Sequence, residues 1–446
     1  MQKHLTEGTP FRQLLLLLFP LLLCSFIQQA YGVGSNVIIS RQLGTDAVAV
    51  INGSAANLIN IFYNVANGLS VGAMIAAARL SGEKNPSGLR RCMKSALGLH
   101  MVFSLFITLL YWFFGKSLLS FLLVPEGLLA DSVSYIKLYS LGFPFYSLAM
   151  LVIAIQRGKG DLKQPTVELL WVCLLNILMD WLFVRTLDLG IRGAALSFTV
   201  TYFLSAVYLT GYLHKHYGIL SRRTALSLPH IRLILYIGIP ACLASMFYDG
   251  ANTYTQTAVN RLGSTAIAAA GLSFKIENFF YMVMQAMATA AVTLLAASDG
   301  AGRRDRFKSI LTAAFAICYG LAVFMGLITF LGRGILPQMF TKDESVIEMC
   351  RQILAFIAPL YLLYPVLEIL LALTRSMKKV VVPTVITLAA CLGRIVWISR
   401  LPQGYSILEA KFSYPISWII TSSLMLFYCL VLYRFSKGKT GSHSGP

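Results

Sequence analysis

The chain is 446 residues long, 57% hydrophobic and only 12% charged, with 37 Lys and Arg against 18 Asp and Glu for a formal charge of +19. A soluble domain carries about a quarter charged residues, so this composition excludes a water-soluble globular fold, which would expose large apolar patches. The basic residues lie in short segments between apolar runs rather than on one tail or one helix face. That distribution excludes a nucleic-acid partner and matches the Lys and Arg excess of cytoplasmic loops in membrane proteins.

A membrane-crossing helix needs about 20 apolar residues. The hydropathy pattern predicts twelve, over 13–39, 47–78, 93–115, 131–156, 165–186, 192–213, 231–259, 265–297, 308–331, 347–374, 380–399 and 411–433. The first run is apolar past Arg12 and through Pro20, with no small-residue cleavage site, so it reads as a span and not a signal peptide. Alternate loops carry more than twice as many basic residues as the others, which places both termini in the cytoplasm. The long polar connection from Lys215 to Leu228 is the natural joint. It gives an N-terminal lobe over 1–219 and a C-terminal lobe over 220–434, with 220–229 inside the joint. Residues 435–446 read as a disordered cytoplasmic tail. The eight cysteines are scattered without CxxC or metal spacing, as expected of small core residues.

The two lobes repeat one another. PLLLCSFIQQAYGVGSNVIISRQLGTDAVAV from Pro20 matches PACLASMFYDGANTYTQTAVNRLGSTAIAAA from Pro240, with one residue of gap. Six helices separate the copies, an even number, so the repeat is parallel and its axis runs along the membrane normal. The expected fold is all-α and integral to the membrane, with twelve spans in two pseudo-symmetric six-helix bundles.

Ionisable groups at membrane depth are costly and so mark function. Asp180 lies deep in the fifth predicted helix, with Asn176 four residues earlier on the same face. A carboxylate with an amide oxygen offers ligands for Na⁺, or a proton carrier with a hydrogen-bond partner. Asp249, inside the seventh helix, is a second candidate for coupling or substrate contact. Glu277, in the eighth, cannot face Lys275 two residues away; Arg394 is one candidate partner, and Glu368 is another charge nearby. Glu168, three residues past Pro165, reads as a first-turn acid at the interface, favoured by the helix dipole.

Several stretches together resemble the MATE family, the multidrug and toxic compound extrusion transporters, within the wider multidrug/oligosaccharidyl-lipid/polysaccharide exporter superfamily. They are LSVGA (69–73), YSLGFPFYSLAMLVIAIQRGKGD (139–161), NILMDWLF (176–183), LGIRGAALS (189–197), AAAGLSFKIENFFYM (268–282) and RIVWI (394–398). The resemblance implies two six-helix bundles around a central cleft. It also implies a monomeric antiporter that exports cationic small molecules across the cell membrane in exchange for Na⁺ or H⁺, with no other cofactor and lipid as its surroundings. It places Asn176 and Asp180 in an N-lobe cation site, with Na⁺ as a candidate occupant. Family members commonly carry an aspartate in a first-helix stretch like LYNxVDSxxVGRxLG. Here its place falls on Ser35, with Asn36 next, and Gly32 and Gly34 nearby suggest a bend or a close backbone approach. Ser35 and Asn36 can still offer neutral oxygens, leaving Asp180 as the sole anion. Two other readings stay open: a lipid-linked precursor flippase of the same superfamily, or a degenerate, uncoupled transporter or sensor. A membrane-embedded enzyme would need a catalytic set such as HExxH or GxSxG; the sequence has no HExxH, and its single GxSxG match, GLSVG at 68–72, brings no accompanying His or acid within that apolar run.

Overall fold

A computed structural model describes residues 6–122, 124–217 and 225–440. Those residues are helical throughout, with no strand among them. The long helices are α1 (Pro10–Ala49), α2 (Ala56–Gly82), α3 (Pro86–Phe121), α4 (Glu126–Ser140), α5 (Phe143–Gly158), α6 (Lys163–Asp180) and α7 (Gly190–Tyr217). They continue with α8 (Leu228–Asn260), α9 (Ser264–Gly300), α10 (Phe307–Gly332), α11 (Glu344–Ile357), α12 (Tyr364–Ser376), α13 (Val381–Ser399), the short α14 (Ile407–Lys411) and α15 (Ser413–Thr440). Among the described residues, eleven helical segments are long and apolar enough to cross a membrane, and the bent pair α4–α5, taken as one span, makes a twelfth. The expected all-helical membrane fold is therefore the observed one.

The boundaries differ from expectation where backbone chemistry intervenes. Of the bend or close approach expected at Gly32 and Gly34, the bend is absent. A Cβ on Gly34 would stand 3.5 Å from the Ile177 side chain, but α1 runs through both glycines, and its break comes at Gly44, with φ 77°. Only glycine adopts that conformation at little cost. A π turn, Val50–Ser54, then leads into α2. The predicted span at 131–156 is broken at Leu141-Gly142, where α4 and α5 meet at 49°. The span at 347–374 is α11, a 3₁₀ stretch Ala358–Leu363 and α12. Pro359 lacks the N–H that would continue α11 and so forces the tighter turn. At the far end α15 runs on to Thr440. Residues 441–446 of the expected tail, and 218–224 of the expected joint, lie outside the described residues.

The chain divides into two compact units. Unit 1 comprises Met1–Glu7, Phe19–Cys242 and Ala296–Gly302; unit 2 comprises Gly8–Leu18, Leu243–Leu295 and Arg303–Pro446. In unit 1, Pro86 opens α3, and the Asn85 side chain accepts from Gly88 N at 2.8 Å, the capping arrangement expected for Asn before a helix. An aromatic core joins α2, α4, α5 and α7. Phe62 stacks on Phe143 with centroids 3.7 Å apart, and Tyr139 on Phe198 at 3.9 Å. Glycine lets α5 approach α2 backbone to backbone: a Cβ on Gly158 would stand 2.3 Å from the Met74 carbonyl oxygen. That contact is closer than any atom pair tolerates, and its partner is rigid main chain. Gly158→Val should therefore destabilise unit 1 by at least about 1–3 kcal/mol, read as a lowered unfolding midpoint in detergent. An unchanged midpoint would mean the two helices separate freely.

Unit 2 has its own aromatic core, in which Phe280 stacks on Tyr361 at 3.7 Å and Tyr364 meets Trp418 edge-on at 5.5 Å. Asp343 caps α11 by accepting from Ser345 N at 2.9 Å and Val346 N at 3.3 Å. The Ser345 hydroxyl and these N–H groups hold the Asp343 carboxyl below the usual carboxylate range.

Candidate functional site

Helix α6 is two-sided in the sense opposite to a soluble helix. Trp171, Leu174 and Leu178, with Trp181 at the start of the π turn Trp181–Thr186 that continues α6, form an exposed stripe, spaced as one helical face. The face behind them buries Cys173, Asn176 and Asp180. Polar groups inside and apolar groups outside are what a lipid-facing helix requires, because the bilayer rewards the exposed aromatic and leucine side chains.

Asn176 and Asp180 are each only 2% exposed. Helix α1 meets them with two hydroxyls one turn apart. Tyr31 OH donates to Asn176 Oδ1 at 3.0 Å, and Ser35 Oγ donates to Asp180 Oδ2 at 2.7 Å. Ser197 of α7 also lies against the Asp180 carboxylate, while its hydroxyl donates to the Gly193 carbonyl at 2.9 Å. Asp180 forms no ion pair with a basic residue among the described residues. Its charge meets only neutral dipoles, and an isolated charge buried in that way is costly. The Nδ2 group of Asn176 is buried without a hydrogen-bond partner.

The donor set is thus carboxylate, amide carbonyl and two hydroxyls, all oxygen, with a single negative charge. Hard cations prefer such oxygen ligands. One charge suits a monovalent cation or a proton. No cluster of three or more His, Cys, Asp or Glu that could hold a metal ion occurs among the described residues.

The other candidates fall elsewhere. Asn36 follows Ser35 on α1, about 100° further round the helix, and is exposed. Asp249 is exposed on α8. Glu277 is 1% exposed in unit 2, where Lys411 Nζ stands 3.4 Å from its Oε1 and Tyr281 OH donates to Oε2 at 3.5 Å. Arg394, expected as a candidate partner of Glu277, instead donates to Asn252 Oδ1 at 2.8 Å and Thr255 Oγ1 at 2.9 Å. Lys411, the first residue of the predicted span 411–433, is only 3% exposed. The reason is local: a capping box of Ser406 and Glu409 turns the chain into α14, which carries Lys411 inward. Glu168 is not an interfacial first-turn acid either. Helix α6 starts at Lys163, so Glu168 sits in its second turn, buried, accepting from Ser205 Oγ at 2.6 Å.

Sequence reasoning missed Tyr31 and Ser197. Tyr31 precedes Ser35 by four residues, as Asn176 precedes Asp180, and this matched spacing was the available signal. Ser197 had none, because its place depends on how α7 packs against α6.

A family model described as MatE matches residues 20–182 and 240–398, one copy in each half of the chain. A probable multidrug resistance protein, YoeA, of Bacillus subtilis (strain 168) is 24% identical over 436 residues, covering 95% of this chain and 94% of that protein. The multidrug export protein MepA of Staphylococcus aureus (strain NCTC 8325 / PS 47) is 24% identical over 358 residues, 79% of each. An FAD transporter of Shewanella oneidensis is 25% identical over 324 residues, 70% of this chain and 71% of that one. Among solved structures, the outward-facing conformation of a multidrug resistance MATE family transporter of the MOP superfamily superimposes with a TM-score of 0.88 at 18% identity, covering 97% of this chain and 98% of that one. A MOP superfamily transporter from Pyrococcus furiosus superimposes with a TM-score of 0.83 at 17% identity, covering 99% and 98%. At these identities the structural likeness speaks for the fold.

Proposed function

Because the chain belongs to the MatE family of multi-pass membrane transporters, we propose that it is a secondary active antiporter, exporting organic cations across the cell membrane in exchange for Na⁺ or H⁺. It is a transporter and not an enzyme, as its matched relatives are. The observation that carries the coupling is Asp180: a carboxylate 2% exposed, held by the Ser35 hydroxyl and without a basic partner. Such a group gains most from a small cation or a proton, and releasing that ion makes it available to exchange. Ser35 and Tyr31 supply neutral oxygens, so one carboxylate serves where a pair is common in families of this kind. The basic loops support cytoplasmic termini.

The test is efflux of a fluorescent organic cation from vesicles containing the purified chain, with the Na⁺ and pH gradients collapsed separately. Export should stop when one of the two is removed and persist without the other. Export that ignores both gradients would indicate an uncoupled transporter, and no export of any cation would sink the antiport reading.

A further inference from the structure

The internal repeat extends to the ion site. In the register that sets Pro20 on Pro240, Ser25 on Ser245 and Arg41 on Arg261, Ser35 of α1 falls on Thr255 of α8. On the fifth helix of each half, Pro165-Thr166-Val167 recurs as Pro383-Thr384-Val385 and Cys173 as Cys391. The same spacing carries Asn176 onto Arg394 and Asp180 onto Ile398. The structure gives each half the same type of contact. A hydroxyl of the first helix meets a polar group of the fifth: Ser35 with Asp180 at 2.7 Å in unit 1, Thr255 with Arg394 at 2.9 Å in unit 2.

The charges are opposite. Unit 1 places against this hydroxyl an acid, one turn past the Asn176 that matches Arg394, with no base against it. Unit 2 places a guanidinium, 0% exposed, with no acid against it among the described residues. Arg394 is held by the Asn252 and Thr255 oxygens and by two rings, those of Tyr414 at 4.2 Å and Tyr248 at 5.3 Å from its carbon. Ring faces and neutral oxygens are what a cation binds. The nearby membrane-depth acid is committed elsewhere, since Glu277 pairs with Lys411 at 3.4 Å.

We propose that Arg394 is a resident cation occupying, in unit 2, the place that unit 1 keeps for an exchangeable one. It is a specificity-determining residue: it closes the second half to the coupling ion and limits exchange to the single Asp180 site. A guanidinium stays charged at any physiological pH, so this occupant never leaves. Its neighbours already do the work of ligands, and only the acid at position 398 is missing. The inference builds on the proposed coupling role of Asp180, but its central test does not need that role.

The experiment follows the unfolding midpoint of the purified full chain as Na⁺ is added, and separately as pH is lowered at fixed Na⁺. Wild type should give one saturable cation-dependent shift, and Asp180→Asn should lose it. In the Asp180→Asn background, adding Arg394→Asn with Ile398→Asp should restore a saturable shift, now from unit 2. Adding Ile398→Asp alone should not, because the new acid would pair with Arg394 one turn away. Arg394→Lys keeps the charge and should stay insensitive. A residual saturable shift in Asp180→Asn that persists with Arg394 intact would overturn the proposal. So would a monodisperse, folded Arg394→Asn/Ile398→Asp chain that gains nothing. A wild type without any shift, beside a converted chain that gains one, would instead sink the coupling role of Asp180 and leave the role of Arg394 standing.

Discussion

An Asp180→Asn chain should move an organic cation only down the cation's own gradient. The substitution is nearly isosteric, and the amide oxygen can still accept from Ser35, now 2.7 Å from the carboxylate. Packing around the 2% exposed side chain should survive. What disappears is the charge, and with it the ability to hold Na⁺ or carry a proton. Exchange of one monovalent ion for one monovalent organic cation moves no net charge, so the ion's concentration gradient sets the limit: a tenfold gradient supplies about 1.4 kcal/mol and supports an accumulation ratio of about 10-fold. Without coupling that ratio should fall toward one, while entry down the gradient continues. The measurement is the steady-state ratio of a fluorescent cation across vesicles under an imposed Na⁺ or pH gradient. Wild-type accumulation by the variant would show that the coupling group is elsewhere, Asp249 being the next acid to replace.

The second large effect is on stability. Lys411→Met leaves Glu277, 1% exposed, as a buried carboxylate whose ammonium has gone. Breaking a buried ion pair from one side costs about 3–5 kcal/mol, because the remaining charge keeps its desolvation penalty and loses its compensation. Pairing Lys411→Met with Glu277→Gln removes both charges and should recover most of that loss. The double-mutant cycle is read as denaturant unfolding of the detergent-solubilised chain. Equal stabilities for Lys411→Met and wild type would show that the 3.4 Å pair contributes little. Additive losses in the double variant would show that the two groups act separately.

The spans were legible because each is a run of apolar residues whose length matches a bilayer, and the repeat was legible because its prolines and Leu-Gly corner recur in order. Asn176 and Asp180 could be placed on one face by helical spacing alone. The contacts across helices were not legible. Nothing near Glu277 in sequence identifies Lys411, more than a hundred residues later, as its partner, and hydropathy put that lysine at the very edge of the last span. Arg394 failed for the same reason. A lone charge in an apolar run reveals that it needs company, but only packing selects oxygens and ring faces over a carboxylate. The break at Gly44 escaped because Gly32 and Gly34 looked as permissive, and the choice among glycines depends on how the following helix is docked.

The outward stripe of α6 has a consequence for the surroundings in which the chain works. Trp171, Leu174, Leu178 and Trp181 are exposed on the same rod that carries Asn176 and Asp180 on its reverse. A bilayer too thin or too thick for such a rod is accommodated partly by leaning it, and a lean of α6 relative to α1 acts directly on the Ser35–Asp180 hydrogen bond. Acyl-chain length should therefore tune ion affinity with no change in sequence, visible as a different half-saturating Na⁺ or proton concentration for efflux in vesicles of short- and long-chain lipid. A value independent of lipid would mean that the helix is clamped by its neighbours.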